Sequence, residues 1–299
     1  MDLNKIIIGC DQLGGSDWGE TNIKEVMNAI KYAYERGIKR FDTADVYGLG
    51  LSEARLNTLF FEKEDLQVTT KVGVRWLISS DWERAKTFKD DDQSYLRIAL
   101  ENSLNRLESI KIDNILLHWP TNQKNLTSAL DLFRFYKQEK KVNNYGFCNG
   151  EKFVDEILNV PEHKNKYVYQ ANFNLTFHNE KYLEHLSKNF RSIQLYGIYA
   201  QGVLANEELD FNKIMSNDRR SRLGMYKKEN FNMLKILTKE LSLISYSYNV
   251  SLASLIIYCT IKSVPFADII IGIRKKNHVD SILKAIDLKV TNHDFQYIK

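Results

Sequence analysis

The feature that most constrains this chain is its repeated alternation of short apolar runs with segments of helical periodicity. Eight runs have the continuous apolarity typical of parallel strands covered on both faces. They are Lys5–Cys10, Arg40–Thr43, Gln67–Lys71, Ile112–His118, Val142–Cys148, Tyr167–Phe173, Ser192–Tyr199 and Asp268–Ile271. Because no Pro- or Gly-rich linker interrupts the alternation, the pattern predicts an α/β fold, a (β/α)₈ TIM barrel forming a single domain over residues 1–299.

The segments between the strands carry apolar residues at helical spacing. Ile23, Val26, Met27, Ile30 and Ala33 form one such stripe. A helix with one apolar face packs that face against a sheet, so these segments should lie outside the barrel.

Two connections are longer than a barrel needs. They are Val72–Asp92, after the third strand, and Gly202–Glu229, after the seventh. Loops beyond about 12–15 residues are usually functional or disordered. Both leave the carboxyl ends of strands, where barrel enzymes build their sites, so we expect them to form walls for substrate and cofactor.

Charge, hydropathy and cysteine usage exclude several partners. The net charge of +4 arises from well-mixed charges and does not favour nucleic acid. No apolar stretch reaches the roughly 18 residues of a membrane span, and the N-terminal apolar run is too short for a signal peptide. Cys10, Cys148 and Cys259 lack metal-ligand spacing. We therefore expect a cytoplasmic protein with no metal; its oligomeric state is left open.

Polar side chains stand at the ends of three consecutive predicted strands. They are Asp42, Lys71 and His118, and Tyr47 follows Asp42 by five residues. Neighbouring parallel strands end at the same rim, so the four side chains should converge there. Taken singly, each is more often a structural or solvated group; it is their joint placement that indicates a site.

These residue types suit proton transfer to or from a carbonyl oxygen. A free tyrosine has a pKa of about 10 and is a poor acid at neutral pH. The ammonium of Lys71 would lower the pKa of Tyr47, and Asp42 would hold Lys71 charged. His118 could then hydrogen-bond the substrate oxygen.

The segment Gly48–Glu53 has some likeness to a dinucleotide-binding glycine motif. It lacks the third glycine, and no acidic residue ends a second strand at the expected distance. We therefore expect no Rossmann site here, only a turn and a helix start with Ser52 as the N-cap.

The motifs together resemble those of the aldo-keto reductase family. RFDTADVYGLGLSEARLN is similar to the family signature, and TTK and LLHWP resemble its lysine and histidine motifs. The resemblance implies Tyr47 as general acid/base, Lys71 and Asp42 as the pair that tunes it, and His118 as the group that orients the substrate.

The resemblance continues almost to the end of the chain. Two segments, KVNNYGFCNG and YQANFN, are similar to those that bind the nicotinamide amide in the family. IQLYGIYAQGVL is similar to the segment that stacks an aromatic ring on the nicotinamide. IIIGIRKKNHVDSILKA is similar to the segment that binds the adenine and the 2′-phosphate. The resemblance implies NADP(H), with NAD(H) as the alternative. The implied cofactor residues are Cys148, Asn149, Gln170, Tyr196, Gln201, Gly202, Gly272, Arg274, Lys275 and His278. We expect the ring face of Tyr196 to matter and its hydroxyl to be dispensable.

The chain departs from the family pattern in places. Cys148 stands where serine is usual and is a weaker hydrogen-bonding group. His278, Ser281 and Ile282 stand where the family has other residues at the adenine end. The family's N-terminal hairpin is expected to be shortened or absent, because the first strand begins almost at once.

The resemblance implies a small-molecule carbonyl or sugar-like substrate, with Trp18, Trp76 and Trp119 as candidate contacts. One alternative is a non-catalytic, cofactor-sensing regulatory subunit of the same fold. Another is an unrelated barrel lyase or isomerase with Lys71 as a Schiff-base nucleophile. The complete set of four polar residues favours the carbonyl oxidoreductase.

Overall fold

The predicted barrel is present. The computed structural model describes residues 2–16, 18–19, 21–77, 85–160, 163–176, 179–206, 208, 214 and 218–298. The strands are β1 (Ile6–Gly9), β2 (Arg40–Asp42), β3 (Gln67–Val72), β4 (Val74–Leu77), β5 (Lys86–Lys89), β6 (Ile112–Leu117), β7 (Val142–Cys148), β8 (Val168–Asn172), β9 (Ser192–Tyr196) and β10 (Asp268–Gly272). All except β4 and β5 are parallel and close into one barrel, in which β1 pairs with both β2 and β10. Each predicted run overlaps one barrel strand, which confirms the (β/α)₈ architecture.

Helices cover the outside of the barrel. They are α1 (Ile23–Glu35), α2 (Leu51–Leu59), α3 (Gln93–Arg106), α4 (Gln123–Gln138), α5 (Val154–Leu158), α6 (Glu180–Ser187), α7 (Lys228–Ser247), α8 (Leu252–Ser263), α9 (Lys276–Asp287) and α10 (Asn292–Ile298). In α1 the Asn22 side chain caps the first turn by accepting from the Glu25 N–H, and Ile30 and Ala33 are buried in the core. No single helix in the described ranges is long and apolar enough to cross a membrane.

The connection after β3 is partly ordered as a hairpin. β4 and β5 pair antiparallel, with Val74 opposite Lys89 and Leu77 opposite Lys86, and they form a sheet separate from the barrel. The sequence analysis expected only a loop here, because both segments are short and carry charged residues. Residues 78–84 lie outside the described part of the chain.

The connection after β9 contains short 3₁₀ turns. They are Ala200–Ala205, Arg219–Arg222 and Gly224–Tyr226. Residues 207, 209–213 and 215–217 of this predicted wall are not among the described residues. At the other end of the chain, one 3₁₀ turn, Leu3–Lys5, precedes β1, and the described residues before it include no hairpin.

The N-cap expected at Ser52 is wrong. Helix α2 begins at Leu51 and is preceded by Gly50 in the left-handed conformation. The buried Ser52 hydroxyl instead donates to the Cys10 carbonyl oxygen at 2.7 Å and accepts from the Thr43 hydroxyl at 2.8 Å. It therefore fastens α2 to the ends of β1 and β2, beside the barrel mouth.

Candidate active site

A cavity of about 440 Å³ opens at the carboxyl ends of the barrel strands. It brings together most of the residues that the sequence singled out. Those that line it are Asp42, Tyr47, Lys71, His118, Cys148, Asn149, Gln170, Tyr196, Gln201, Gly202, Gly272, Arg274, His278, Trp18 and Trp119. The strand ends meet here because a parallel barrel places all of them on one rim.

Two candidate residues lie elsewhere. Trp76 is in the β4–β5 hairpin and lines a separate cavity of about 140 Å³. Lys275 is the cap residue of α9, and its Nζ lies 3.9 Å from Glu25 Oε1 with the side chain largely exposed. Neither side chain lines the main cavity.

Lys71 is the charged centre of the site. Its Nζ donates to Asp42 Oδ1 at 2.5 Å and to the Thr43 carbonyl oxygen at 3.0 Å, and it lies 3.3 Å from Tyr47 Oη. The side chain is fully buried. Burial opposes the ammonium charge, but the Asp42 carboxylate outweighs it, and the pKa of Lys71 is raised. Lys71 therefore stays protonated at any physiological pH.

Tyr47 is held by a tight turn. The next residue, Gly48, has φ +59°, and a Cβ atom there would lie 2.2 Å from the Gly14 carbonyl oxygen, so only glycine fits. Burial raises the pKa of the Tyr47 hydroxyl and outweighs the lowering effect of Lys71. The sequence predicts a net lowering; the structure differs because the side chain is largely enclosed in the cavity wall, where loss of hydration outweighs the nearby ammonium. Tyr47 thus keeps its proton at neutral pH.

Aromatic side chains line the cavity together with Tyr47. The His118 ring meets the Tyr47 ring edge-on, with centroids 5.9 Å apart, and is nearly parallel to the Trp119 ring, with centroids 6.2 Å apart. Trp18 also lines the cavity, and its Nε1 donates to Asp11 Oδ2 at 2.8 Å. The lining therefore combines flat aromatic surfaces with the carboxylates of Asp11 and Asp42.

Asn149 is tied into the protein by its own amide. Its Nδ2 donates to the His118 carbonyl oxygen at 3.0 Å and to Cys148 Sγ at 3.2 Å, and its Oδ1 accepts from the Tyr196 hydroxyl at 2.5 Å. The Tyr196 hydroxyl, which the sequence predicts to be dispensable for cofactor binding, thus makes a contact that holds the Asn149 amide in place. Burial raises the pKa of the Cys148 thiol to about 12.

Two arginines, Arg220 and Arg274, line another part of the cavity. Arg274 Nη2 donates to the Trp18 carbonyl oxygen at 2.9 Å. Arg220 forms a two-point ion pair with Asp218, at 3.0 Å from Nε to Oδ1 and 2.6 Å from Nη2 to Oδ2. Burial, followed by the charge of Arg220, lowers the pKa of Arg274, and both guanidinium-bearing residues line the cavity. Such a pair suits phosphate.

His278 also lines the cavity. Its Nδ1 accepts from the Arg274 backbone N–H at 3.2 Å, so Nδ1 carries no proton. Burial, followed by Arg274 and Lys275, lowers the pKa of His278. The ring is therefore neutral at neutral pH and offers Nε2–H as a donor.

Asp11, Gln12 and Arg220 are among the cavity residues that the sequence did not single out. Asp11 and Gln12 directly follow β1, and Arg220 lies in the long connection after β9. The strand-end rule that found Asp42 could have found Asp11 and Gln12. Arg220 carried no such signal, since its segment has no periodicity.

The residues present fit a nicotinamide dinucleotide. Gln170 Oε1 is buried in the cavity and, within the described part of the chain, has no hydrogen-bond partner, so it can accept from a carboxamide. The two arginines match phosphates. The described residues include no group of three or more His, Cys, Asp or Glu side chains placed to hold a metal ion.

The chain matches one protein family along nearly its whole length. A model of the aldo/keto reductase family matches residues 5–299. The uncharacterized oxidoreductase YqkF of Bacillus subtilis is 28% identical over 213 residues, which cover 70% of this chain and 65% of that protein, just under two thirds of its length. Aldo-keto reductase YhdN of the same organism is 23% identical over 236 residues, covering 77% and 69%. Glycerol dehydrogenase AKR11B4 from Gluconobacter oxydans shares the fold, with a TM-score of 0.82 at 22% identity over 98% of this chain and 90% of that one. The chain belongs to the aldo/keto reductase family of oxidoreductases.

Proposed function

We propose that this protein interconverts a carbonyl group, in an aldehyde, ketone or sugar, and the corresponding alcohol with NADP(H), using Tyr47 as the general acid/base. The observation that carries the proposal is the buried chain of contacts from Asp42 through Lys71 to the Tyr47 hydroxyl, at 2.5 Å and 3.3 Å, inside the main cavity. A proton donor beside a fixed ammonium suits a carbonyl oxygen that gains negative charge.

Each residue of the set has a separate task. When bound, the nicotinamide cofactor supplies or accepts the hydride. Tyr47 gives its proton to the carbonyl oxygen during reduction, and its raised pKa keeps that proton in place beforehand. Lys71 stabilises the tyrosinate that remains, and Asp42 holds Lys71 in position. His118, edge-on to Tyr47, orients the substrate oxygen.

The cavity walls support a small polar substrate. Trp18 and Trp119 offer flat surfaces to the carbon skeleton, and the Asp11 carboxylate can accept hydrogen bonds from substrate hydroxyl groups. Aromatic surfaces combined with a carboxylate suit a polyol or sugar-like molecule better than an anionic one.

The test is turnover of the purified protein with NADPH. Loss of absorbance at the reduced-nicotinamide band is followed with a panel of small aldehydes, ketones and sugars, and NADPH binding is measured separately. The proposal expects saturable turnover with at least one compound. Tight NADPH binding without turnover on any of them would favour the cofactor-sensing regulatory subunit, and borohydride trapping of a substrate on Lys71 would favour the lyase.

We expect Arg274 to set the preference for NADP⁺ over NAD⁺, because Arg274, like Arg220, lines the cavity. Arg274→Ala should reduce the ratio of the NAD⁺ Kd to the NADP⁺ Kd by roughly tenfold or more, since hydrogen bonds to charged groups are strong. Isothermal titration with both cofactors measures it. Lys275→Ala is the control, because that side chain faces Glu25. An unchanged ratio in Arg274→Ala, or a wild-type preference for NAD⁺, contradicts the assignment.

Tyr196 is expected to stack on the nicotinamide ring. Because stacking adds about 0.5–1.5 kcal/mol beyond area burial, Tyr196→Ala should weaken NADPH binding by about tenfold. Tyr196→Phe keeps the ring but removes the donor to Asn149, so we expect a smaller loss of a few-fold. Fluorescence titration with NADPH and thermal melts of the unliganded proteins separate the two roles. A lowered melting temperature with unchanged NADPH affinity in Tyr196→Ala would leave Tyr196 a packing residue only.

A further inference from the structure

Gln194 is a buried polar residue that the catalytic scheme does not use. It lies on β9, one strand away from Gln170 on β8, and the two residues are directly opposite each other in the strand register. Its side chain is 1% exposed and does not line the main cavity. A buried amide inside a barrel needs its hydrogen bonds satisfied, so its partner shows what it does.

The partner of Gln194 is the amide of Gln170. Gln170 Nε2 donates one hydrogen to Asp42 Oδ2 at 2.6 Å and the other to Gln194 Oε1 at 2.9 Å. The other oxygen of Asp42, Oδ1, accepts from Lys71 Nζ at 2.5 Å. Because a carboxylate can only accept here, the contact with Asp42 requires the nitrogen of the Gln170 amide to face it. A continuous chain of hydrogen bonds therefore joins Gln194, Gln170, Asp42 and Lys71.

The two contacts leave Gln170 with a defined polarity towards the cavity. An amide has two N–H donors and one acceptor oxygen. Both donors of Gln170 point into the protein, and its Oε1 is buried in the cavity wall with no partner in the residues that the structure describes. Asn149, which also lines the cavity, donates its own side-chain N–H groups to the His118 carbonyl oxygen and to Cys148 Sγ. The acceptor oxygen is therefore the one hydrogen-bonding group of Gln170 left for a ligand at this wall.

We propose that Gln194 is a positioning residue: by taking the second N–H of Gln170, it makes the cavity face of Gln170 an acceptor that selects the NH₂ group of a nicotinamide carboxamide. The inference rests on the proposed function. Without an acceptor at position 194, the second N–H of Gln170 is buried without a partner, which is unfavourable. The amide then relaxes away from its position, and the oxygen is no longer held towards the cavity.

The test compares two cofactors that differ only in that NH₂ group. NADP⁺ carries the carboxamide, and its 3-acetylpyridine analogue has a methyl group in place of the NH₂. We expect the wild-type protein to bind NADP⁺ about five- to tenfold more tightly than the analogue, as one hydrogen bond allows. Gln194→Met, which removes the acceptor at similar length, should bring the ratio of the two Kd values to within about twofold. Gln194→Glu keeps an acceptor oxygen for Gln170 and should retain most of the wild-type ratio.

Two further variants and a melting curve for each protein complete the experiment. Gln170→Leu gives the ratio of the two Kd values expected when the acceptor oxygen of Gln170 is absent. Asn114→Leu removes another buried amide, which bonds Thr69 on β3 and does not contact Gln170; it should lower the melting temperature without changing the ratio. If folded Gln194→Met keeps the wild-type ratio of the two Kd values while Gln170→Leu loses it, Gln194 does not position Gln170. The proposed function would still stand. Failure of the wild-type protein to bind NADP⁺ overturns both.

Discussion

Tyr47→Phe is expected to lower kcat for carbonyl reduction by about a hundredfold or more, while the NADPH Kd stays within a few-fold of wild type. Loss of a general acid typically costs 10²–10⁴-fold, and the phenylalanine ring preserves the shape of the site. The hydroxyl is 3.3 Å from Lys71 Nζ, so its removal takes the proton donor away without emptying the wall of the cavity. Steady-state kinetics with NADPH and fluorescence titration of the cofactor measure the two quantities.

A matched tyrosine provides the control. Tyr169 is buried on β8, does not line the main cavity, and its hydroxyl has no hydrogen-bond partner among the described residues. Tyr169→Phe should therefore keep near wild-type kcat. If Tyr47→Phe retains more than about a tenth of wild-type kcat, less than the effect of a lost general acid, Tyr47 is not the proton donor.

Lys71→Met is expected to abolish turnover and also to destabilise the fold. Removing one partner of a buried ion pair leaves the other charge uncompensated, which typically costs about 3–5 kcal/mol in the free energy of unfolding. Asp42 is 3% exposed, and in the variant its carboxylate would keep the Gln170 N–H as a donor but lose the ammonium that balances its charge. Urea denaturation gives the free energy, and NADPH consumption gives kcat, which should fall by about a hundredfold or more.

A double variant separates stability from chemistry. Asp42→Asn combined with Lys71→Met removes both charges and keeps similar volumes, so most of the lost stability should return. Turnover should not return, because no ammonium remains to stabilise the tyrosinate. Recovery of kcat in the double variant would show that the charge of Lys71 is not needed for the reaction.

The barrel could be predicted because its strands carry a strong local signal. Both β1 and β10 contain the continuously apolar run IIIG, which is typical of a strand covered on both faces. The hairpin of β4 and β5 could not be predicted in the same way. VRWL and KTFK mix charged and apolar residues and are mostly exposed, so their pairing is not specified by burial.

The candidate site could be predicted where its residues end strands. Asp42, Lys71 and His118 converge because they stand at the carboxyl ends of neighbouring parallel strands, which meet at one rim of the barrel. Arg220 lies in the predicted wall Gly202–Glu229, but it could not be singled out within it, since the segment is irregular and the ion pair with Asp218 leaves no sequence pattern. Nor could the partner of Gln170, because Gln194 looks like any other residue in an apolar strand until the facing strand is known.

The burial of all three cysteines has a consequence for chemical tolerance. Burial raises the pKa of each thiol, to about 12 for both Cys148 and Cys259 and higher still for Cys10. The thiolate, not the thiol, is the nucleophile, so these sulfur atoms are inert at neutral pH. Aldehydes are electrophiles that convert reactive thiols into hemithioacetals. Cys148 lines the cavity, so an aldehyde that enters it under the proposed function should meet an unreactive thiol rather than one that traps it.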